Sequence, residues 1–324
     1  MSKQISLVVT HYNEPWDVVK PLFDSIAVQV DYDLSKLEVI VVNDGTGELT
    51  FPNNYDFEVR QLTPDKCGVS ACRNLGLDNA TGDYVMFCDC DDMFCSMFSL
   101  NVYDKAIAES PLYDLIRGSF IEDQFVDGAW KLIRHDMDVV FIHGKLWKKE
   151  FLLENEIRFK EDLIIHEDSY VNIIGTILAQ GSTRETQVAT YLWKYRDESV
   201  CRRDSHNFVY KTYKDLMKTR NAISESLDRR GLITELHQTV AKTVLDSYYD
   251  FQKPEALKPE NADMMNRAKK AFKKYYMRWK DIYKEVGIPD IASIMSMCRQ
   301  GAVNNGMRIE QQSLHEFLTE IVNL

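Results

Sequence analysis

The sequence predicts an α/β domain, a mostly parallel mixed sheet flanked by helices, followed by a helical carboxyl-terminal domain. Three observations carry this expectation. Apolar runs of strand length at 5–10, 37–42 and 84–87 each end in a polar or acidic turn. Segments of helical period separate these runs, and from about Ser205 onward the apolar residues recur at helical spacing. Strands buried on both faces read as continuous apolar runs, which is how these three read.

The first run, ISLVVT at 5–10, passes into His11-Tyr12-Asn13-Glu14. Pro15 then fits the first position of a helix whose Trp16, Val19, Leu22, Phe23 and Ile26 share one face. Pro21 falls inside that helix and is expected to bend it or shift its start, because proline removes a backbone donor. The second run, LEVIVV at 37–42, leads into Asn43-Asp44-Gly45-Thr46-Gly47, so its end offers a carboxylate in a glycine-bearing turn. A helix follows from Gly68 and Ser70, and Gly82 closes it. The third run then delivers Cys88-Asp89-Cys90-Asp91-Asp92 to a strand's carboxyl end, where open α/β sheets bind ligands. Three carboxylates within four positions repel one another, and a hard divalent cation carrying a phosphorylated ligand relieves that repulsion. Alone, such a D-x-D triplet is common and means no more than a solvated acidic turn.

Farther on, a short apolar run at 139–146 leads into a helix, and Ile157-Arg158-Phe159 precedes Asp162-Leu163-Ile164-Ile165-His166-Glu167-Asp168. Tyr170, Val171, Ile174 and Ile177 give the next helix a buried face and put Asp168 in its first turn, where the helix dipole favours a carboxylate. Taken by itself, that acidic turn does no more than cap its helix. A strand-like stretch at 189–193 then runs into a loop bearing Arg196, Arg202 and Arg203.

Strand plus His11-Tyr12-Asn13-Glu14, Val41-Val42-Asn43-Asp44-Gly45-Thr46, the 68–76 segment GVSACRNLG, Phe87-Cys88-Asp89-Cys90-Asp91-Asp92 and His166-Glu167-Asp168 stand in the order and spacing of one family. The chain resembles the family-2 glycosyltransferases of the Rossmann-like GT-A fold over roughly its first two hundred residues. Each motif is weak alone, and five in order are specific. The resemblance implies a metal-dependent, inverting enzyme that moves a sugar from a nucleotide-diphosphate donor, a UDP-sugar being favoured, to a hydroxyl acceptor. A surface polysaccharide, wall polymer or glycolipid precursor would be that acceptor. It implies that Asp44 reads the nucleotide base with Thr10 and Asn13 lining the cleft, and that Arg73 and Asn74 help hold the base and sugar-phosphate side. Asp89 and Asp91 match the pair that contacts the donor sugar or ribose and holds Mn²⁺ or Mg²⁺ against the pyrophosphate, with Asp92 assisting. Arg196, Arg202 and Arg203 match a loop that folds over the donor and supplies positive charge to its phosphates.

The resemblance makes Asp168 the general base, with Glu167 beside it. A sugar hydroxyl attacks poorly until a positioned carboxylate accepts its proton, and direct displacement inverts the anomeric centre. The chain departs from the family pattern in Asn43 before Asp44, where two acids are commoner, and in cysteine at 88 and 90. Neither change removes a functional carboxylate. Other readings stay open: a glycosyltransferase acting on a modified nucleic-acid base, a nucleotidyltransferase, or a non-catalytic sugar-nucleotide or glycan-binding module.

At 324 residues the chain can bury a catalytic domain over 1–204 and a helical domain over 205–324 that shapes the acceptor site, drives oligomerisation or buttresses the sheet. Four helices are expected there, over 207–227, 232–251, 263–286 and 313–324, punctuated by Pro254, Pro259 and a Gly287-Ile288-Pro289 turn. Seven cysteines without a secreted spacing pattern predict reduced thiols. No apolar stretch approaches a membrane span and no signal peptide opens the chain, so a cytoplasmic protein is expected, with contact to the inner membrane face as an option. The net charge of −11 opposes a surface committed to nucleic acid. One segment runs the other way: Arg267, Lys269, Lys270, Lys273, Lys274, Arg278 and Lys280 surround a helical stripe of Ala268, Phe272, Tyr275, Trp279 and Ile282. Such a stripe is ordinarily core, and the alternative is a dock for an anionic acceptor or membrane.

Overall fold

The computed structural model describes residues 3–45, 49–51, 55–65, 68–126, 128–196 and 207–324. The chain divides into two compact units, Met1–Arg196 and Asp197–Leu324. This division and the expected one after residue 204 differ only by residues that lie outside those described.

The first unit begins with β1 (Ile5–His11), α1 (Trp16–Ala27), β2 (Leu37–Asn43), β3 (Glu58–Leu62), α2 (Val69–Asn79) and β4 (Tyr84–Asp89). It continues with β5 (Met93–Phe94), α3 (Ser99–Glu109), β6 (Leu115–Val126), β7 (Ala129–His135), β8 (Lys145–Lys148), α4 (Lys149–Glu154), α5 (Glu167–Leu178) and β9 (Thr183–Trp193). The sheet runs β3-β2-β1-β4-β8-β6-β9-β5, with β7 hairpinned onto β6. The first four strands in that order are parallel, and β8 lies antiparallel between β4 and β6. Thr10 sits level with Val42 on one side and Asp89 on the other. Every strand that ends in a candidate residue therefore ends at the same edge of the sheet, which is the general site of ligand binding in such folds.

β1, β2 and β4 are nearly fully buried along their lengths, as continuous apolar runs require. The helix α2 lies so close to β1 that a β-carbon on Gly76 would collide with the Val8 side chain. The α1 helix starts at Trp16, one residue later than expected, with Pro15 extended before it, and it runs on through Pro21.

The second unit contains α6 (Phe208–Lys211), α7 (Tyr213–Arg229), α8 (Ile233–Asp250), α9 (Ala262–Glu285), α10 (Ile288–Asn304) and α11 (Leu314–Asn323). All of these but α10 meet the sequence expectation, α6 and α7 together filling the first of the four expected spans. The α10 helix does not, because Gly287-Ile288-Pro289 is the opening of a helix and no turn. Pro289 stands in the first helical turn, where its missing N–H would have had no partner. The ring of Phe317 on α11 packs 5.6 to 5.9 Å from those of Tyr248, Phe251 and Phe272. A reciprocal Ser313–Glu316 capping box opens α11. Among the described residues, no helix is long and apolar enough to cross a membrane.

Candidate active site

The carboxyl edge of the parallel strands gathers the expected residues around one buried guanidinium. Arg73, on α2, is only 4 % exposed. Its Nη2 donates to Asp89 Oδ1 at 2.9 Å, at the end of β4, and its Nη1 donates to Glu167 Oε1 at 2.6 Å, in the first turn of α5. The side chain lies 5.3 Å from the Phe159 ring centroid, which fixes its plane. Burial alone would disfavour its charge, but Asp89, Glu167 and Asp168 hold its pKa above the ordinary value. Two motifs that are 78 positions apart in the chain thus share one cation, the distance following from Asp89 and Glu167.

Thr10 Oγ1 donates to the same Asp89 oxygen at 3.1 Å. Burial works against the charge on Asp89, yet Arg73 outweighs it and keeps this carboxyl below its usual range. Asp91 goes the other way. Burial, then Asp89 and Glu14, push it up, while Arg196 opposes them. Arg196 Nη1 lies 3.3 Å from Asp91 Oδ2 and 3.6 Å from Glu14 Oε1, so it stands between the two acids. Arg202 and Arg203 lie outside the described residues.

Asp92 is 1 % exposed and its two oxygens are committed inward. Tyr191 Oη donates to one at 2.6 Å and the Lys194 backbone N–H to the other at 3.0 Å. The assisting role at a metal does not suit this carboxylate, which instead ties the end of β9 to the D-x-D turn. Burial, then Asp91 and Asp89, raise its pKa well above the carboxylate range.

On the base side, Asp44 Oδ2 accepts from the Gly68 N–H at 2.9 Å, and the Asp44 N–H donates to His11 O at 2.9 Å. Asn13 adopts a left-handed φ of 60° and lies so near Gly45 that a β-carbon there would overlap its side chain. Glycine at 45 is needed for this close approach. Asn74 is 4 % exposed, and its amide is used internally: Nδ2 donates to Phe159 O at 2.9 Å and Glu161 Oε1 at 3.2 Å, and Oδ1 accepts from the Phe159 N–H at 3.0 Å. It fastens α2 to the segment before α5 and has both amide N–H groups engaged within the protein.

His166 precedes α5 with φ at 65°, and this left-handed residue turns Glu167 and Asp168 toward Arg73. The Asp168 carboxyl is pushed up to about 7, by burial first and Glu167 second, with Arg73 opposing. A carboxylate whose pKa lies near neutrality is poised to accept a proton.

Two further residues escaped the sequence reading. Glu14 accepts from the Tyr12 N–H at 2.6 Å and from the Cys90 thiol at 3.3 Å, and its place in the first motif was the only available sign. His143 is buried among Phe120, Phe141, Tyr191 and Trp193, with ring centroids 4.7 to 5.7 Å away. Burial keeps it neutral, lowering its pKa to about 3 against the pull of Asp89. Nothing in its local sequence announces this.

Whether these acids fit a divalent ion is decided by the donor set. Among the described residues, no three His, Cys, Asp or Glu side chains converge as a metal site. Mg²⁺-type sites commonly use one or two carboxylates and complete their shell with water and substrate phosphates. Asp91 and Asp89, hard oxygen donors crowded enough to raise the Asp91 pKa, suit that arrangement.

Residues 6–150 match the model of glycosyl transferase family 2. The chain is 23 % identical over 277 residues to a cholesterol galactosyltransferase of Borreliella burgdorferi, covering 76 % of this chain and 74 % of that one. It is 32 % identical over 95 residues to the poly(ribitol-phosphate) beta-N-acetylglucosaminyltransferase TarS of Staphylococcus aureus, covering 28 % of this chain and only 16 % of the relative. The structure of S. aureus TarS 1–349 in complex with UDP-GlcNAc superposes with a TM-score of 0.62 at 20 % identity, covering 92 % of each chain, and so shares the fold. With the motifs, the mixed sheet and these relatives in agreement, residues 6–150 are the part of the chain that matches glycosyl transferase family 2, and the protein is a sugar-transferring enzyme of GT-A fold.

Proposed function

We propose that this enzyme transfers a sugar, with inversion, from a UDP-sugar to a hydroxyl of a wall-polymer or glycolipid acceptor. The observation that carries the reading is the Arg73 bridge between Asp89 and Glu167, which joins the donor-binding acids to the helix bearing the base. The names of the relatives support the rest: one is a sterol galactosyltransferase, another glycosylates poly(ribitol phosphate), and the similar fold was solved with UDP-GlcNAc.

In this reading Asp44 accepts from the nucleotide base, with Thr10 and Asn13 at its sides. Arg73 and Asp89 orient the donor's sugar end, and Arg196 swings its charge from Asp91 and Glu14 to the diphosphate. Asp91, with Asp89, would hold Mn²⁺ or Mg²⁺, and such an ion offsets charge on the departing diphosphate. Asp168 takes the proton of the acceptor hydroxyl, while Glu167, held by Arg73, keeps the turn in place. Asn74 acts at one remove by fixing α2.

A donor panel with Mn²⁺ tests the proposal. Release of UDP and inverted product stereochemistry by NMR are expected. Consumption of a nucleoside triphosphate with release of pyrophosphate would instead indicate nucleotidyl transfer.

A further inference from the structure

The basic segment divides by face. Lys269 donates to Glu320 at 2.6 Å and Lys273 to Val322 O at 2.7 Å, so these two fasten α9 to α11. Arg267, Lys270, Lys274 and Arg278 instead face a groove of about 700 Å³ between α6–α7 and α9, a volume typical of small-ligand sites. Lys211, Lys214 and Lys218 line one side, and Arg267, Lys270, Lys274 and Arg278 line the other. All seven are exposed. A spacing of three or four residues sets Arg267, Lys270, Lys274 and Arg278 along one face of α9 and Lys214 and Lys218 along one face of α7, where like charges repel. No acidic side chain is among the described residues that line the groove. Glu225 answers Arg278 at 2.6 Å and Asp215 reaches Lys218 only at 3.9 Å, while Lys214, Arg267, Lys270 and Lys274 meet no carboxylate within ion-pair distance among the described residues, in a chain of net charge −11.

The floor is apolar. Met217 and Ala268 are buried there, and Met264 and Ala271 are half-buried. A soluble polyanion would satisfy the rim and gain nothing from this floor. An anionic lipid satisfies both, its phosphate on the cations and its hydrocarbon on the methionines and alanines. We propose that the α7–α9 groove is a binding site for an anionic phospholipid and docks the enzyme on a negatively charged membrane surface.

Sedimentation with vesicles of phosphatidylcholine alone, or mixed with phosphatidylglycerol, tests this on the full chain. Binding only to the mixed vesicles is expected, weakening with salt. Changing Lys214, Lys270 and Lys274 together to Gln should weaken it roughly a hundredfold, at about tenfold or less per cation. Ala271→Glu should also release the protein. A control that loses three charges elsewhere, Lys258, Lys280 and Lys284 to Gln, should keep most of the binding. UDP release without acceptor and the melting temperature should be unchanged in the groove variants. Equal loss in the control, retained binding in the triple variant, or capture of inorganic polyphosphate with no vesicle binding would each overturn the proposal.

Discussion

At the scale of single residues, neighbouring acids do different work that their order in the chain does not reveal. Asp91 and Asp92 are adjacent and chemically identical, yet one points toward Arg196 and the other accepts from Tyr191 and Lys194. Asp91→Asn should abolish metal-dependent donor binding by calorimetry and leave the melting temperature near that of the parent. Asp92→Asn should lower the melting temperature, since a buried amide cannot accept both hydrogen bonds as the acid does. Asp168→Asn should retain donor binding and lose transfer by a factor on the order of 10²–10⁴. Its stability effect has a sign that can be worked out. A carboxyl whose pKa is raised on folding favours the fold below its unfolded pKa, and that benefit is lost as pH rises through about 7. The Asn variant should therefore gain more in melting temperature at pH 8 than at pH 5. In the parent, transfer should rise with pH through about 7 as the base ionises. Equal gains at both pH values would mean that Asp168 is not buried with its charge. Sequence pointed to Asp44, Asp89, Asp91 and Asp168 because these carboxylates at strand ends and a helix start stand in motifs whose order resembles one family. It could not show that Asn74 is occupied or that Glu14 faces Arg196, because both depend on which loop packs against which.

At the scale of elements, β1, β2 and β4 were legible because burial on both faces leaves an uninterrupted apolar run. The β6–β7 hairpin was not: every residue of β7 but His135 is exposed, so no such run marks it. The register that sets Thr10 level with Asp89 is likewise a property of pairing, absent from local patterning. The α10 helix was hidden by the Gly-Ile-Pro opening, which serves a turn and a helix start equally well. The packing of α2 on β1 can be tested directly. Gly76→Ala should cost about 1–3 kcal/mol by overpacking against Val8, seen as a lower denaturant midpoint. It should also reduce donor affinity, because Arg73 rides on the same helix. A midpoint equal to that of the parent would mean that α2 can retreat without loss.

At the scale of the whole catalytic unit, the shared guanidinium ties occupancy to protonation. Arg73 divides its charge between Asp89 and the Glu167–Asp168 turn, so a ligand that draws Asp89 away leaves more of that charge to Asp168. Besides Arg73, the charged groups acting on Asp168 include Glu167 and Asp89, and it in turn acts on Lys145, whose own pKa burial lowers to about 8. Near pH 7, donor uptake should then expel protons into solution, and by reciprocity the donor should bind more tightly as pH rises through that range. Calorimetry in buffers of different ionisation enthalpy counts those protons. A heat independent of buffer would mean that the bridge is mechanical only. If protons are released, the arriving donor itself completes the arming of the base, and an acceptor reaching an empty site near pH 7 meets a carboxyl still about half protonated.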